Sequence, residues 1–373
     1  VEAHGDDQVA HRHLRPLRRR ALDQIEAEAA GERGFQRGVA DLAIALQRVA
    51  VAEEKHGAGL EHRQVDRRPF ADLVEIHVAA PSSGVAGRLR RELEIIPPGD
   101  LRMALAALAN SDPVGDLWAR TLQHRFRGTG AMAGHAVGNL MIAGLTEVLG
   151  DYQAALDTIA ELTNSQGRVF PVVNQALEIE AEVAGLDDDP RVMRQVRGQV
   201  AVASTPGQVR RVRIVPENPK ANPDVLDAIE RADLITIGPG SWFSSVLPHT
   251  LVPEVVEAIS ASDALRVVVL NLSAEPGETH GFSAERHLHV LSQHAPDLRI
   301  DRILVDGAAL PTDSERVYIQ RAAQSLGARA TFADVSEVDD NGRSINKHDP
   351  EKLSAALLDL YSDYRNTGDP NRS

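Results

Sequence analysis

The chain has 373 residues, with 40 lysines and arginines against 54 aspartates and glutamates, so its formal net charge is −14. It contains no cysteine, which excludes disulfides, thiolate catalysis and cysteine-ligated metals and favours a reducing, cytoplasmic location. Neither an apolar run of about 18 residues nor a signal peptide is found, so we expect no membrane span. The acidic balance argues against general nucleic-acid binding, whereas local arginines and backbone N–H groups could still hold a small anion.

The first 80 residues differ in composition from the rest of the chain. They contain no Ser, Thr, Asn, Met, Tyr or Trp, and the whole chain has 36 Arg against 4 Lys. Such a composition is typical of GC-rich DNA translated outside its reading frame. A disordered or arginine-rich helical extension is the other interpretation. We therefore leave residues 1–86 unassigned and expect them not to belong to the fold.

Regular spacing of apolar residues begins after residue 87 and predicts four helices in the first half of the chain. These predicted helices cover 100–110, 116–126, 138–149 and 152–162. Gly150 and Asp151, between the last two, supply a helix stop and an N-cap. Farther along, 199–204 and 208–215 alternate apolar and polar residues around a Thr-Pro-Gly turn, which predicts an inserted hairpin.

Strands and helices alternate through the second half of the chain. The predicted strands are 234–237, 266–272, 300–306 and 328–334, and the predicted helices are 222–232, 252–260, 283–294 and 313–326. Because the strands are continuously apolar and each is followed by a helix, we predict an α/β fold with a doubly wound, mainly parallel sheet covered on both faces. We assign residues 87–340 to this domain and residues 341–373 to a C-terminal helix and polar tail.

The clearest candidate site follows the first of these strands, at Gly238-Pro239-Gly240-Ser241. A strand, a glycine turn and a helix start form the layout of an anion-binding turn. Glycines let the backbone approach a phosphate, and free N–H groups with a serine hydroxyl satisfy its oxygens. A tight strand-to-helix turn that binds no ligand is the alternative.

Two further loops carry polar residues that could face the same ligand. Asn271 lies at the end of the second predicted strand, where it either reads a base or sugar edge or caps the following loop. Another loop, with glycines at Gly134 and Gly138, contains His135 and Asn139. The histidine could donate to a phosphate or sugar while the asparagine holds the loop. Equally, the histidine could be bonded into the local backbone.

Arginines near the start of the regular region form a local cationic patch. Arg88, Arg91 and Arg102 are suited to bidentate phosphate contacts, and a solvated helix face is the alternative. The chain has no standard P-loop, no intact G-x-G-x-x-G after a strand and no G-x-S-x-G elbow. Its closely spaced histidines lack a third ligand, so we expect no metal site built from them.

Four sequence motifs occur in a characteristic order. They are G-R-L-R-R-E-L-E-I-I-P-P-G-D-L-R at 87–102, G-H-A-V-G-N-L at 134–140, I-G-P-G-S-W-F-S-S-V-L-P at 237–248 and N-L-S-A-E-P-G-E-T-H-G-F at 271–282. Together they resemble the YvcK family of gluconeogenesis factors, relatives of CofD, the 2-phospho-L-lactate transferase of deazaflavin coenzyme biosynthesis. The resemblance implies a cytoplasmic, Rossmann-like protein that binds UDP-sugars such as UDP-N-acetylglucosamine. It also implies a role in carbon-source-dependent growth, cell shape and peptidoglycan supply.

The resemblance, with the loops above, gives a set of expected ligand-binding residues. They are Arg88, Asp100, Arg102, Gly134, His135, Gly138, Asn139, Gly238, Pro239, Gly240, Ser241, Asn271 and Phe282. Phe282 stands where family members often have tyrosine, which keeps a stacking surface but loses a hydroxyl.

The chain departs from the family pattern at its beginning. Members carry an opening G-G-G-x-G loop and then V-x-D-D-G-G-S-S before G-R-L-R, whereas residues 79–86 read A-A-P-S-S-G-V-A here. The aspartate pair of the family pattern is therefore missing here. In the transferase that pair lies where the metal and phosphate are handled, so we favour a regulatory binding protein and assign no catalytic residue. The alternative is a transferase of the phospho-lactate type, the one reading in which Mg²⁺ is an expected cofactor. A non-binding product of a frameshifted gene is a third reading, and a homodimer is left open.

Overall fold

The first structural unit places helices between two parallel strands. The computed structural model describes residues 73–77, 93, 95–189, 191–275, 279–308 and 312–367. Strand β1 (Leu73–His77) pairs in parallel with β2 (Gly167–Pro171). In the described part of the chain between them lie the helices α1 (Gly99–Ala107), α2 (Pro113–Gln123), α3 (Val137–Leu149) and α4 (Tyr152–Leu162). β1 falls inside the segment 1–86 that the sequence left unassigned, and the remainder of that segment lies outside the described residues.

The four helices begin and end at residues whose chemistry explains their bounds. Asp112 accepts hydrogen bonds from the N–H groups of Val114 and Gly115, which starts α2 three residues earlier than predicted. Gly150 ends α3 in a left-handed conformation, and Asp151 caps α4 as expected. The helices share a core of fully buried side chains: Leu101, Leu105, Leu108, Leu122, Ile142, Leu156 and Ile159.

An antiparallel sheet follows β2 in the chain and precedes the parallel strands of the second half. Strand β3 (Glu178–Ala184) lies at its centre, flanked by β4 (Met193–Arg197) and β5 (Gln208–Val215). The predicted hairpin is wrong in its first strand, because Gln199–Ala203 forms a short helix, α5, and β5 pairs with β3 instead. A run of five residues with alternating Val and Ala suits a helix as well as a strand, and in the helix Val202 is fully buried.

The second half of the chain forms a four-stranded parallel sheet, as predicted, and its strands lie side by side in the order of the sequence. Its strands are β6 (Leu234–Ile237), β7 (Leu265–Val269), β8 (Arg302–Asp306) and β9 (Arg329–Ala333). The helices of this half are α6 (Pro223–Arg231), α7 (Leu247–His249), α8 (Pro253–Ala261), α9 (Ala284–His294) and α10 (Asp313–Ser325), and residues Trp242–Val246 form a π-helical turn before α7.

Both faces of this sheet are covered, in agreement with the predicted α/β, Rossmann-like architecture. Val268 and Ile303 belong to the large core that contains residues of α9 and α10. Val267 and Leu304 point to the other face, where they pack with Leu357 and its neighbours from the C-terminal helix α11 (Pro350–Thr367). The continuously apolar strands follow from this double burial.

The C-terminal part adds a small hairpin to the predicted helix. β10 (Ser336–Val338) and β11 (Ser344–His348) pair in antiparallel fashion before α11 begins. The short and polar sequence of these strands gave no alternation from which to predict them. Asp349 accepts hydrogen bonds from the N–H groups of Glu351 and Lys352, and α11 begins at the next residue, Pro350. Among the described residues, no helix is long and apolar enough to cross a membrane.

Candidate functional site

The loop at the end of β6 has a conformation that requires its glycines. Gly238 has a φ of +75°, and a Cβ on it would lie 2.8 Å from the carbonyl oxygen of Val269 in the neighbouring strand. Gly240 has a φ of +149°, but the space beside it is open, since an added Cβ would meet its nearest side-chain atom, on Val246, at 3.9 Å. Gly238 therefore serves the packing of the sheet, whereas Gly240 leaves room for another group to approach the backbone.

Asn271 fixes this loop from the end of the adjacent strand. Its Oδ1 accepts a hydrogen bond from the Gly240 N–H, and its Nδ2 donates to the Gly240 carbonyl oxygen, both at 2.9 Å. The two bonds cross from β7 to the loop after β6, because the carboxyl ends of parallel strands lie at one edge of the sheet. Neither of the two roles predicted for Asn271 describes this contact, which positions the glycine loop.

The residues after the glycines begin a buried helical segment. The carbonyl oxygen of Ser241 accepts from the N–H groups of Ser245 and Val246, both at 2.9 Å, and this closes the π-helical turn. Ser241 itself is 8% exposed, and Trp242 is fully buried. The N–H groups at this helix start, with the Ser241 hydroxyl, are the donors that the sequence predicted for an anion.

A half-buried carboxyl group follows Asn271 in the chain. Glu275 lies four residues after Asn271, and burial raises its pKa above the ordinary value. The Ser241 side chain and the Trp242 backbone act on this pKa in the opposite direction, but desolvation outweighs them. Glu275 has no role in the sequence-based prediction of the site.

Aromatic rings line one side of the loop. The Trp242 ring meets the His287 ring edge-on, with 5.1 Å between centroids. Phe282 meets both Phe243, at 5.9 Å, and His287, at 5.3 Å, in the same manner. The Arg286 guanidinium lies over the Phe282 ring at 4.0 Å. The predicted stacking surface of Phe282 is therefore half-buried and has a cation beside it.

A second polar cluster joins α1 to α3. The side chain of Arg102 is 1% exposed; its Nε donates to Asn139 Oδ1 at 3.0 Å, and its Nη1 donates to Gln123 Oε1. Gly138 is in close contact with this side chain, because an added Cβ would lie 2.8 Å from Arg102 Cγ and 2.9 Å from the Leu122 carbonyl oxygen. Arg102, Gly138 and Asn139 therefore lie in the contact between helices α1 and α3.

Asp100 links the first helix to the segment after the glycine loop. Gln199, at the start of α5, donates from Nε2 to Asp100 Oδ2 at 3.0 Å. The same nitrogen lies 3.5 Å from the carbonyl oxygen of Ser244 in the π-helical turn. The Gln199 side-chain amide therefore connects Asp100 to the π-helical turn that follows Ser241. Sequence reasoning missed Gln199, which it placed in the predicted hairpin.

The remaining predicted residues lie in the loop before α3 or outside the described part of the chain. Gly134 has a φ of +80°, and its N–H donates to the Phe126 carbonyl oxygen at 2.8 Å. His135 is 8% exposed, and its carbonyl oxygen accepts from the Phe126 N–H at 3.0 Å. This pairing ties the loop to the end of α2. Arg88 falls outside the described residues.

The described residues contain no group of three His, Asp or Glu side chains placed to hold a metal ion.

Comparison with known proteins gives the family of the chain. The family model described as 2-phospho-L-lactate transferase CofD matches residues 55–349. A Mycobacterium tuberculosis (strain ATCC 25618 / H37Rv) protein named "Putative gluconeogenesis factor" is 53% identical over 291 residues, which cover 78% of this chain and 84% of that protein. The protein named "Gluconeogenesis factor" from Bacillus subtilis (strain 168) is 34% identical over 318 residues, covering 82% of this chain and 93% of the relative.

Solved structures agree with this relationship. The crystal structure of a UPF0052 family protein from Bacillus halodurans superposes with a TM-score of 0.68 at 29% identity. The match covers 86% of this chain and 95% of the other. Because the ordered motifs, the family model and the relatives all agree, the chain belongs to the CofD/YvcK family.

Proposed function

We propose that the chain is a gluconeogenesis factor: a cytoplasmic regulatory protein that binds a UDP-sugar such as UDP-N-acetylglucosamine. Its proposed role concerns carbon-source-dependent growth, cell shape and peptidoglycan supply, without a membrane or nucleic-acid partner. The names of the mycobacterial and Bacillus relatives support the first part of this proposal. The observation that carries the binding part is the glycine loop at the end of β6, with Ser241 and Trp242 as donors.

The chemistry of the loop suits a diphosphate. A diphosphate needs several hydrogen-bond donors close together and a backbone without side chains in the way. Gly240 supplies the open approach, and the Asn271 amide holds its backbone in place. The Ser241 hydroxyl and the helix N–H groups supply the donors. The sugar and uracil parts of the ligand would then extend along the strand ends, where α/β proteins bind such groups.

The test is equilibrium binding of UDP-N-acetylglucosamine to the full chain and to Gly240→Val, measured by calorimetry. A valine at this positive φ is strained, and its side chain fills the space beside the loop, so we expect affinity to fall at least about tenfold. Gly327→Val is the matched control. Gly327 also has a positive φ, +72°, but lies in open space at the end of α10. Equal affinity in parent and Gly240→Val would remove the loop from the site.

The family model favours a second candidate, a transferase of the phospho-lactate type. Under that reading a deazaflavin acceptor and an activated phospho-lactate donor would react in the presence of Mg²⁺. We expect saturable ligand binding without product, because the chain lacks the family's aspartate pair before residue 87. Mass spectrometry of the reaction mixture would detect the product, and turnover would promote the transferase over the regulatory protein.

A further inference from the structure

A cavity of about 400 Å³ lies beside strand β5 of the antiparallel sheet. Its walls come from β3, β5 and the turn that follows β5, and from Leu251 and the end of α9. The residues 238–241 of the glycine loop do not line it. Because small-molecule sites in proteins have volumes of this order, the cavity is a candidate site apart from the one proposed above.

His294, the last residue of α9, forms a fixed wall of this cavity. Its Nε2 accepts a hydrogen bond from the Val212 N–H of β5 at 3.1 Å, so the ring proton is on Nδ1, which lies 2.8 Å from the Val290 carbonyl oxygen. Burial lowers the pKa of His294, which favours this neutral ring. Since both ring nitrogens are engaged, the binding chemistry of the cavity depends on its other polar side chains.

Two glutamate–arginine pairs lie across β3 and β5, and one of them is open. Glu180 lies opposite Arg213, and their side chains form an ion pair at 2.9 Å. Glu182 lies opposite Arg211 in the same register, an arrangement in which the Cβ atoms are about 5 Å apart. Within the described part of the chain, neither of these two side chains makes an ion pair or a hydrogen bond. Both line the cavity, so a pair of opposite charges is available there to a ligand.

The charges around the cavity favour a zwitterion. Glu180 and Arg213 neutralise each other, which leaves the Arg211 guanidinium and the carboxylates of Glu182 and Glu217 facing the cavity. These two carboxylates would repel a phosphate, and a simple cation would give the guanidinium no partner. A free amino acid suits both charges, because its carboxylate fits the guanidinium fork with two hydrogen bonds and its ammonium group donates to a carboxylate.

We propose that this cavity is a second ligand site, which binds a free amino acid with its carboxylate on Arg211 and its ammonium group on Glu182. The amides of Asn218 and Gln293 and the side chain of Leu251 also line the cavity, and they contact the side chain of the bound amino acid. The site is separate from the glycine loop, so this inference does not depend on the binding of a UDP-sugar.

The experiment titrates the full chain by calorimetry with each of the standard L-amino acids in turn. We expect at least one of them to bind saturably. Its N-acetyl derivative, which lacks the ammonium group, and its amide, which lacks the carboxylate, should each bind at least about tenfold more weakly. Equal binding of either derivative would contradict the recognition of a zwitterion.

Three variants locate the binding in the cavity. Arg211→Gln and Glu182→Gln each remove one of the two charges from an exposed side chain, so we expect affinity to fall at least about tenfold in both. Arg210→Gln is the matched control, because Arg210 is the neighbouring exposed arginine of β5 and does not line the cavity; it should bind as the parent does. The inference is overturned if no amino acid binds, if either cavity variant binds as tightly as the parent, or if Arg210→Gln loses as much affinity.

Discussion

At the scale of single residues, Gly138 gives the sharpest test of the packing between α1 and α3. An alanine Cβ there would lie under 3.0 Å from Arg102 and from the Leu122 backbone, so Gly138→Ala should lower the free energy of unfolding by roughly 2 kcal/mol. Gly144→Ala is the control in the same helix. It meets nothing within 4 Å, so it should stabilise the protein by about 0.5–1 kcal/mol. Urea unfolding of both variants measures the two changes in the free energy of unfolding. If both changes had the same sign, the close contact of Gly138 with Arg102 and Leu122 would be wrong.

His348 gives a prediction about pH. Burial lowers the pKa of His348 from 6.5 to about 4, although the charge of Asp306 and the Leu270 backbone favour the protonated ring. A histidine with a depressed folded pKa stabilises the protein above pH 6.5, and that stability is lost as the pH falls toward 4. Between pH 7.5 and 4.5 the parent should therefore lose roughly 2.5 kcal/mol more than His348→Gln. Urea titrations at the two pH values measure this, and parallel losses would show that His348 does not titrate as described.

At the scale of elements, a buried ion pair ties β7 to the residue before β8. Asp301 accepts from Arg266 Nε at 2.8 Å, from Nη2 at 2.9 Å and from the Arg266 backbone N–H at 2.9 Å. Both side chains are about nine-tenths buried, so Asp301→Ala leaves a buried guanidinium without its carboxylate. We expect the free energy of unfolding to fall by about 3–5 kcal/mol.

The control for this prediction is an exposed pair of the same types. Arg231 and Asp227 are bonded in α6, but 67% and 58% of their side chains are exposed. Asp227→Ala should therefore change stability by no more than about 0.5 kcal/mol. A loss at Asp301 as small as this would mean that the Arg266 contact does not hold the two strands.

Elements with strong local signals could be predicted from the sequence. Apolar runs gave the four parallel strands, and Asn222, with its following proline, and Asp151 gave helix starts that the structure confirms. The antiparallel insertion could not be predicted in the same way. Glu178–Ala184 alternates charged and apolar residues as a strand does, a local signal that was missed, but its pairing with β4 and β5, which follow at different distances along the chain, has no local signal. Pairing of this kind depends on tertiary contacts rather than on local preference.

At the scale of the whole molecule, the site is assembled from strand ends that are distant in sequence. The glycine turn could be predicted because strand, glycines and helix start are contiguous. The bonds between Asn271 and Gly240, 31 residues away, could not be predicted, because they depend on β6 and β7 lying side by side. Arg102 was expected to face a ligand, but its side chain is buried between helices.

A crystal structure of the full chain with UDP-N-acetylglucosamine would show directly whether the loop after β6 holds the diphosphate. We expect diphosphate oxygens about 3 Å from the Ser241 hydroxyl and the Trp242 N–H, beside Gly240. A diphosphate bound away from this loop would rule the loop out as the binding site.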